Sequence, residues 1–202
     1  MPRHPDPDLE NRILNAAQVL WKRGGEKTLT MRAVARSAGT NTPAVYRRFK
    51  DRSAVVRGLI RRIQEELRVH LQTAKSLEGM AEAYVEYGLK HPHEYDLFYT
   101  YARELLPRKG AGMLQPIRDS RPNVGMVEMQ LAKQFGGSAS DHTRLALALW
   151  ATVHGATSML LAQAVPEGHE EELRVACRAA VKALLENADK FPEKNDRKRG
   201  GR

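Results

Sequence analysis

Tyr46, Arg47, Arg48 and Lys50 set three cationic heads and a phenol within five residues. Such a group neutralises phosphates, and phosphate neutralisation gives nucleic-acid binding most of its affinity. Thr42, Pro43 and Ala44, just upstream, offer a hydroxyl and small apolar surfaces that suit base edges and thymine methyls. Thr30 and Arg52 flank the group with another hydroxyl and another guanidinium. Because phosphate contacts position a protein and groove contacts specify the sequence, Thr30, Tyr46, Arg48, Lys50 and Arg52 are predicted at phosphates. Thr42, Pro43, Ala44 and Arg47 are predicted in the groove. Pro43 and Ala44 carry no side-chain donor, so specificity leans on few hydrogen bonds and on DNA shape.

These residues need a scaffold, and the flanking pattern supplies one. Thr30 suits an N-cap, and Met31, Val34, Ala35 and Ala38 follow at i, i+3, i+4 and i+7, so one helix face is buried. Gly39 can end that helix in the left-handed conformation, Asn41 can cap the next, and Pro43 falls in a first turn that tolerates it. The second helix buries Ala44, Val45 and Phe49 and leaves Thr42, Tyr46, Arg47 and Arg48 outside. That is a helix-turn-helix, whose second helix enters the major groove. Over roughly Ile13 to Leu59 the run TLTMRAVARSAGTNTPAVYRRFKDRSAVV, with Ala38, Gly39, Asn41, Tyr46 and Phe49 in matching positions, resembles the DNA-binding half of the TetR family of transcriptional repressors. It departs where members often carry histidine and lysine, having Arg48 and Arg52 instead.

Charge points the same way. Residues 1–60 carry 12 Lys+Arg against 5 Asp+Glu, a net of +7, whereas residues 61–190 carry 16 against 17, a net of −1. Positive charge concentrated on the helix-turn-helix is the footprint of a polyanion binder. The single cysteine, Cys177, excludes an internal disulfide and reads as core packing in a reducing compartment. No apolar run approaches the length of a membrane span and the N-terminus lacks an apolar signal core, so a cytoplasmic protein is expected. Neither a nucleophile with its base, a glycine-rich phosphate loop nor a metal motif occurs. His91 and His93 flank Pro92 without further ligands. No catalytic residue, metal or cofactor is expected.

The rest of the chain predicts an all-α protein of about nine helices. Residues 1–50 form the DNA-binding domain, 51–190 a helical effector-binding and dimerisation domain, and 191–202 a disordered basic tail. Residues 1–7 read as a loose arm. Asp8 is expected to cap the first helix and Gly24-Gly25 to end it. A fourth helix runs from about Asp51 to Ala74 as a connector, and another from Ser76 to His91, stopped by Pro92. An aromatic helix HEYDLFYTYA follows, then a Gly/Pro-punctuated connection from Leu106 to Gly125. One helix is expected over about Val124 to Phe135, one from Asp141 to about Val165, and a last one from Glu170.

The last two helices carry more apolar surface than one domain covers, which suggests a four-helix bundle with a second copy. Val153, Thr157, Leu160, Leu161, Leu173, Ala176, Ala180 and Leu184 are the predicted interface. The resemblance implies the same homodimer. It also extends to Trp150, His154 and Gly155, which are similar to a tryptophan, histidine, glycine signature of one subgroup of TetR C-terminal domains. Tyr84, Tyr87, Tyr95, Phe98, Tyr99, Trp150 and His154 could line a pocket for a small hydrophobic effector, the bland alternative being plain core and a buried, hydrogen-bonded His154. The expected partners are double-stranded DNA with an inverted-repeat operator and a second copy of the chain. The expected activity is repression relieved by the effector. A constitutive DNA binder without effector is the alternative.

Overall fold

Local hydrogen bonding sets most of the helix boundaries. The computed structural model describes residues 8–101 and 116–192, and every regular element among them is helical. In order these are α1 (Leu9–Gly24), α2 (Met31–Ser37), α3 (Thr42–Arg48), α4 (Arg52–Gln72), α5 (Leu77–Lys90), α6 (Pro92–Thr100), α7 (Ile117–Ser120), α8 (Pro122–Phe135), α9 (Thr143–Leu161) and α10 (Glu170–Glu186), with short 3₁₀ turns between some of them. The predicted arm at 1–7, residues 102–115 with the first half of the predicted connection, and most of the predicted tail lie outside the described residues.

Several boundaries differ from the sequence expectation for identifiable reasons. Asp8 makes no side-chain cap to α1; its carboxylate accepts from Asn11 Nδ2 at 3.2 Å instead. The expected connection up to Gly125 contains the single turn α7 and the first turn of α8. Pro122 sits at the start of α8, where a missing N–H costs nothing, so this proline opens a helix rather than extending a loop. Asp141 belongs to a capping box with Ser138, accepting its N–H at 2.8 Å, and α9 begins two residues later. α9 ends at Leu161, not near Val165. Gln163 adopts φ 50°, and Ala164 N–H donates to Met159 O at 2.9 Å while Gln163 N–H donates to Leu160 O at 3.2 Å. This is a Schellman ending without the usual glycine.

The described residues group into two compact units, one from 8–65 and 92–101, the other from 66–91 and 116–192. The first unit closes on Ile13, Ala17, Trp21, Leu29, Val34, Val45, Phe49, Val55, Leu59, Ile60 and Leu97, all buried. Gly58 lets α4 lie close over this core: a Cβ there would come within 3.0 Å of both Leu14 Cδ2 and Phe49 Cε1. α6 joins this unit through α1. Trp21 Nε1 donates to His93 O at 2.8 Å, and buried Glu94 lies 2.5 Å from Lys22 Nζ and accepts from Gln18 Nε2 at 3.2 Å.

The second unit buries Leu77, Met80, Tyr84 and Tyr87 of α5, Val124, Met126 and Leu131 of α8, Leu145, Leu149 and Val153 of α9, and Cys177, Val181 and Leu185 of α10. Charged groups are buried with them too, Arg121 and, most deeply, Glu128. Glu128 is fully enclosed, pairs with Arg118 Nε at 3.0 Å and accepts from Thr143 Oγ1 at 2.6 Å, so α7, α8 and α9 are tied at one point. Deleting Arg118 would leave an enclosed carboxylate without its counter-charge, which for a fully buried pair costs about 3–5 kcal/mol and here less, because the guanidinium is one-third exposed.

Candidate nucleic-acid interface

α2 and α3 are built from their ends inward. Thr30 Oγ1 accepts from Ala33 N–H at 3.1 Å and Asn41 Oδ1 from Ala44 N–H at 2.9 Å, so each helix starts with a satisfied donor. Between them, Gly39 takes φ 65°, Thr40 N–H donates to Ala35 O at 2.9 Å and Gly39 N–H to Arg36 O at 3.2 Å. The turn is thus fixed by backbone bonds that require a left-handed residue at position 39. Val34, Ala35, Ala38, Ala44, Val45 and Phe49 anchor the pair on the first core.

What remains outside is the predicted contact set. Pro43, Tyr46, Arg47, Arg48 and Lys50 are exposed, Tyr46 at 50%, and Thr42 is half-buried at the first turn of α3. Ala44 is buried, so its methyl packs on the core instead of facing a groove; the sequence expectation for this residue is corrected. Thr30 is exposed, but its hydroxyl oxygen is committed to the cap. A hydroxyl in that setting keeps its proton for an outside acceptor.

Arg52 has a second role that sequence reasoning missed. Its Nε donates to Leu29 O at 2.8 Å, its Nη2 donates to Glu26 O at 3.3 Å, and the Glu26 carboxylate lies 3.3 Å away. The guanidinium straps the start of α4 to the segment leading into α2. Tyr101 lies beside this strap, and burial pushes its hydroxyl above the ordinary phenol value, against the pull of Arg52. No sequence signal marks residues 26, 29, 52 and 101 as neighbours.

The residues predicted to line an effector chamber fall into two groups. Tyr95, Phe98 and Tyr99 belong to the first unit, where Tyr95 and Tyr99 rings lie 4.6 Å apart and Phe98 packs on the helix-turn-helix core. Tyr84, Tyr87, Trp150 and His154 belong to the second. Tyr84 and Tyr87 are buried, while Trp150 and His154 are half-buried with ring centroids 6.4 Å apart. Burial lowers the His154 pKa below the ordinary histidine value, which favours the neutral ring. An open groove of about 350 Å³ in the second unit is lined by other residues, from α5, α9 and α10. Among the described residues no three His, Cys, Asp or Glu side chains are placed to hold a metal ion, and no helix is long and apolar enough to cross a membrane.

The predicted dimer residues also divide. Ala176 and Ala180 are exposed and Leu160, Leu161, Leu173 and Leu184 are half-buried. Val153 and Thr157 are corrected: both are buried inside their own unit, Thr157 completely, with its hydroxyl donating to Val153 O at 2.7 Å. The outward stripe is instead Ala151, half-buried Gly155 and Met159 of α9 with its C-cap Ala162, and on α10 Val175, Ala176, Ala179, Ala180 and Ala183.

Comparison with known proteins agrees with this geometry. Residues 13–59 match the family described as bacterial regulatory proteins, tetR family, and residues 77–184 match the tetracyclin repressor-like C-terminal domain. No curated protein matches the chain. Three solved structures share the fold at low identity. One is of a protein with unknown function from Rhodococcus sp. RHA1, with TM-score 0.67, 21% identity, and 93% of this chain and 98% of that one covered. Another is of the candidate regulatory protein SCO4313, with TM-score 0.65, 22% identity, and coverage of 89% and 96%. A third is of the multidrug binding protein EbrR complexed with imidazole, with TM-score 0.63, 20% identity, and coverage of 91% and 93%. With a helix-turn-helix presenting a cationic, aromatic second helix and both halves matched in order, the chain belongs to the TetR family of DNA-binding transcription regulators.

Proposed function

We propose that this regulator is a repressor that binds an inverted-repeat operator as a homodimer and leaves it when a small-molecule effector occupies residues 51–190. The exposed run Pro43, Tyr46, Arg47, Arg48 and Lys50 on a firmly capped helix carries the reading. Thr42 and Arg47 reach base edges, Pro43 meets thymine methyls, and Tyr46, Arg48, Lys50 and the Thr30 hydroxyl hold phosphates. Two such heads on a palindrome sit near one helical turn apart, about 34 Å. The dimer is supported by the outward small-residue stripes of α9 and α10. A Cβ at Gly155 would meet nothing within 4 Å of its own chain, so a glycine there fits close approach by a second copy. Trp150, His154 and Gly155 are consistent with the subgroup that shares this signature. Effector release is supported by the open groove in the second unit and by the ligand-bound relative described above. The site of action is the cytoplasm.

Selection of bound fragments from random DNA tests the reading, and an inverted repeat is the expected product. On that operator, Tyr46→Ala and Arg47→Ala abolish the specific shift in a gel titration while the dimer persists. Retained operator affinity in both variants overturns the assignment of α3.

A further inference from the structure

The groove in the second unit has an unusual charge layout. One wall is α5, where Glu78, Glu82 and Glu86 recur at i, i+4 and i+8 and form a single exposed stripe roughly 12 Å long. The other wall is α10, with Arg174, Arg178 and Lys182 at the same spacing. Val85, Ala156, Cys177 and Val181, all buried, and half-buried Leu160 make the floor apolar.

Opposed rows of this kind could cancel, but the ion pairs run elsewhere. Arg178 Nη2 pairs with Glu171 at 2.8 Å and Lys182 Nζ lies 3.8 Å from Glu186, both within α10. Among the described residues no ion pair within 4 Å joins the two walls, although Arg178 feels the field of Glu82. Two of the three basic-wall charges thus have a carboxylate partner on their own helix and Arg174 remains, while among the described residues none of the three glutamates of the acidic wall is in an ion pair, which leaves the groove with an excess of negative charge over its apolar floor. Closely spaced like charges repel, and a desolvated cation held beside them relieves that repulsion.

We propose that the groove between α5 and α10 binds a lipophilic organic cation, its apolar body on Val85, Leu160 and Val181 and its charge against Glu82 and Glu86. About 350 Å³ is within the range of pockets for drug-sized molecules. The outward face of α10, Val175, Ala176, Ala179, Ala180 and Ala183, lies on the opposite side of that helix from Arg178 and Val181, so a dimer built on it leaves the groove open. That this cation is also the effector rests on the release mechanism proposed above; its binding does not.

Two probes of the same shape and opposite charge test the proposal on the full-length protein without DNA. Tetraphenylphosphonium binds saturably by calorimetry and tetraphenylborate does not. Binding of the cation weakens on raising salt, and E82Q/E86Q weakens it on the order of tenfold. Both carboxylates are exposed and, among the described residues, outside any ion pair, so circular dichroism stays unchanged and the unfolding temperature does not fall in that variant. Equal binding of the two probes, or unchanged cation affinity in E82Q/E86Q, overturns the proposal. Operator release is then read separately. Cation binding without release keeps the groove assignment and removes the effector role, whereas release that survives E82Q/E86Q removes the groove assignment and keeps the release mechanism.

Discussion

Arg52 separates two kinds of work that a cationic residue next to a DNA-reading helix can do. Its side chain is one-third exposed, so it could in principle meet a phosphate, yet its fork is already spent on Leu29 O, Glu26 O and the Glu26 carboxylate. Hydrogen bonds from a charged donor are worth about 1.5–3 kcal/mol net, and partial exposure puts this strap toward the lower end. Arg52→Lys keeps the charge but loses the fork geometry. We expect it to lower stability by about 1–2 kcal/mol in urea unfolding and to leave operator affinity close to wild type once folded. Unchanged stability with a drop in affinity would return Arg52 to the phosphate contacts. Ala44 makes the complementary point: position on the recognition helix suggested a groove contact, but burial decides against it.

At the scale of elements, caps were legible because they are local. Thr30 and Asn41 each accept from the N–H three residues on, as their spacing predicts, whereas Asp8 does not cap α1 and Ser76, read only as a helix start, caps α5 in the same way. Long-range docking was not legible. The bond from Trp21 to His93 O spans 72 residues and that from Gln18 to Glu94 spans 76, so nothing in either neighbourhood announces that α6 belongs with α1. Gln163 misled for the opposite reason: it ends α9 in a conformation normally flagged by glycine. The α6 contact has a pH signature. Burial pulls the Glu94 carboxyl up, but bonds from Lys22 and Gln18 outweigh it and hold the pKa below the ordinary value of 4.5. A carboxylate whose folded pKa is lowered contributes stability above its unfolded pKa and loses it as pH falls through the folded value. Unfolding of the wild type followed below about pH 4.5 should therefore show a loss that Glu94→Gln, already weaker at neutral pH, does not share. Parallel pH curves for the two proteins would remove Glu94 from this role.

The whole molecule was legible as a class and less so as surfaces. The all-α class and the N-terminal helix-turn-helix follow from charge distribution and helical periodicity, but the compact units do not divide at residue 50: the first takes residues 52–65 of α4 and all of α6, which the sequence reading assigns to 51–190. Which apolar residues face outward on α9 and α10 did not follow, since both faces are apolar and only packing within the unit shows that Val153 and Thr157 are already used. The dimer proposal is tested where the stripe is outermost. Met159 is 41% exposed and Ala180 is exposed, so Met159→Glu with Ala180→Glu adds charge without disturbing either core. The expected result is a helical monomer by sedimentation whose operator affinity falls at least about a hundredfold, because the second head no longer binds as part of the same molecule. A dimer that survives the double substitution would place the interface elsewhere.

The chain contains two tryptophans, and they are divided between the two units. Trp21 is enclosed by the first core with its indole N–H held by His93 O, whereas Trp150 is half-buried on α9. The molecule thus carries one tryptophan per unit, with tyrosines in both. Replacing either with phenylalanine, and exciting at the red edge where tyrosine does not absorb, leaves the emission of the other tryptophan alone, so heating, acid or an added compound can be followed in the DNA-reading part and in the helical body one at a time, without any attached label.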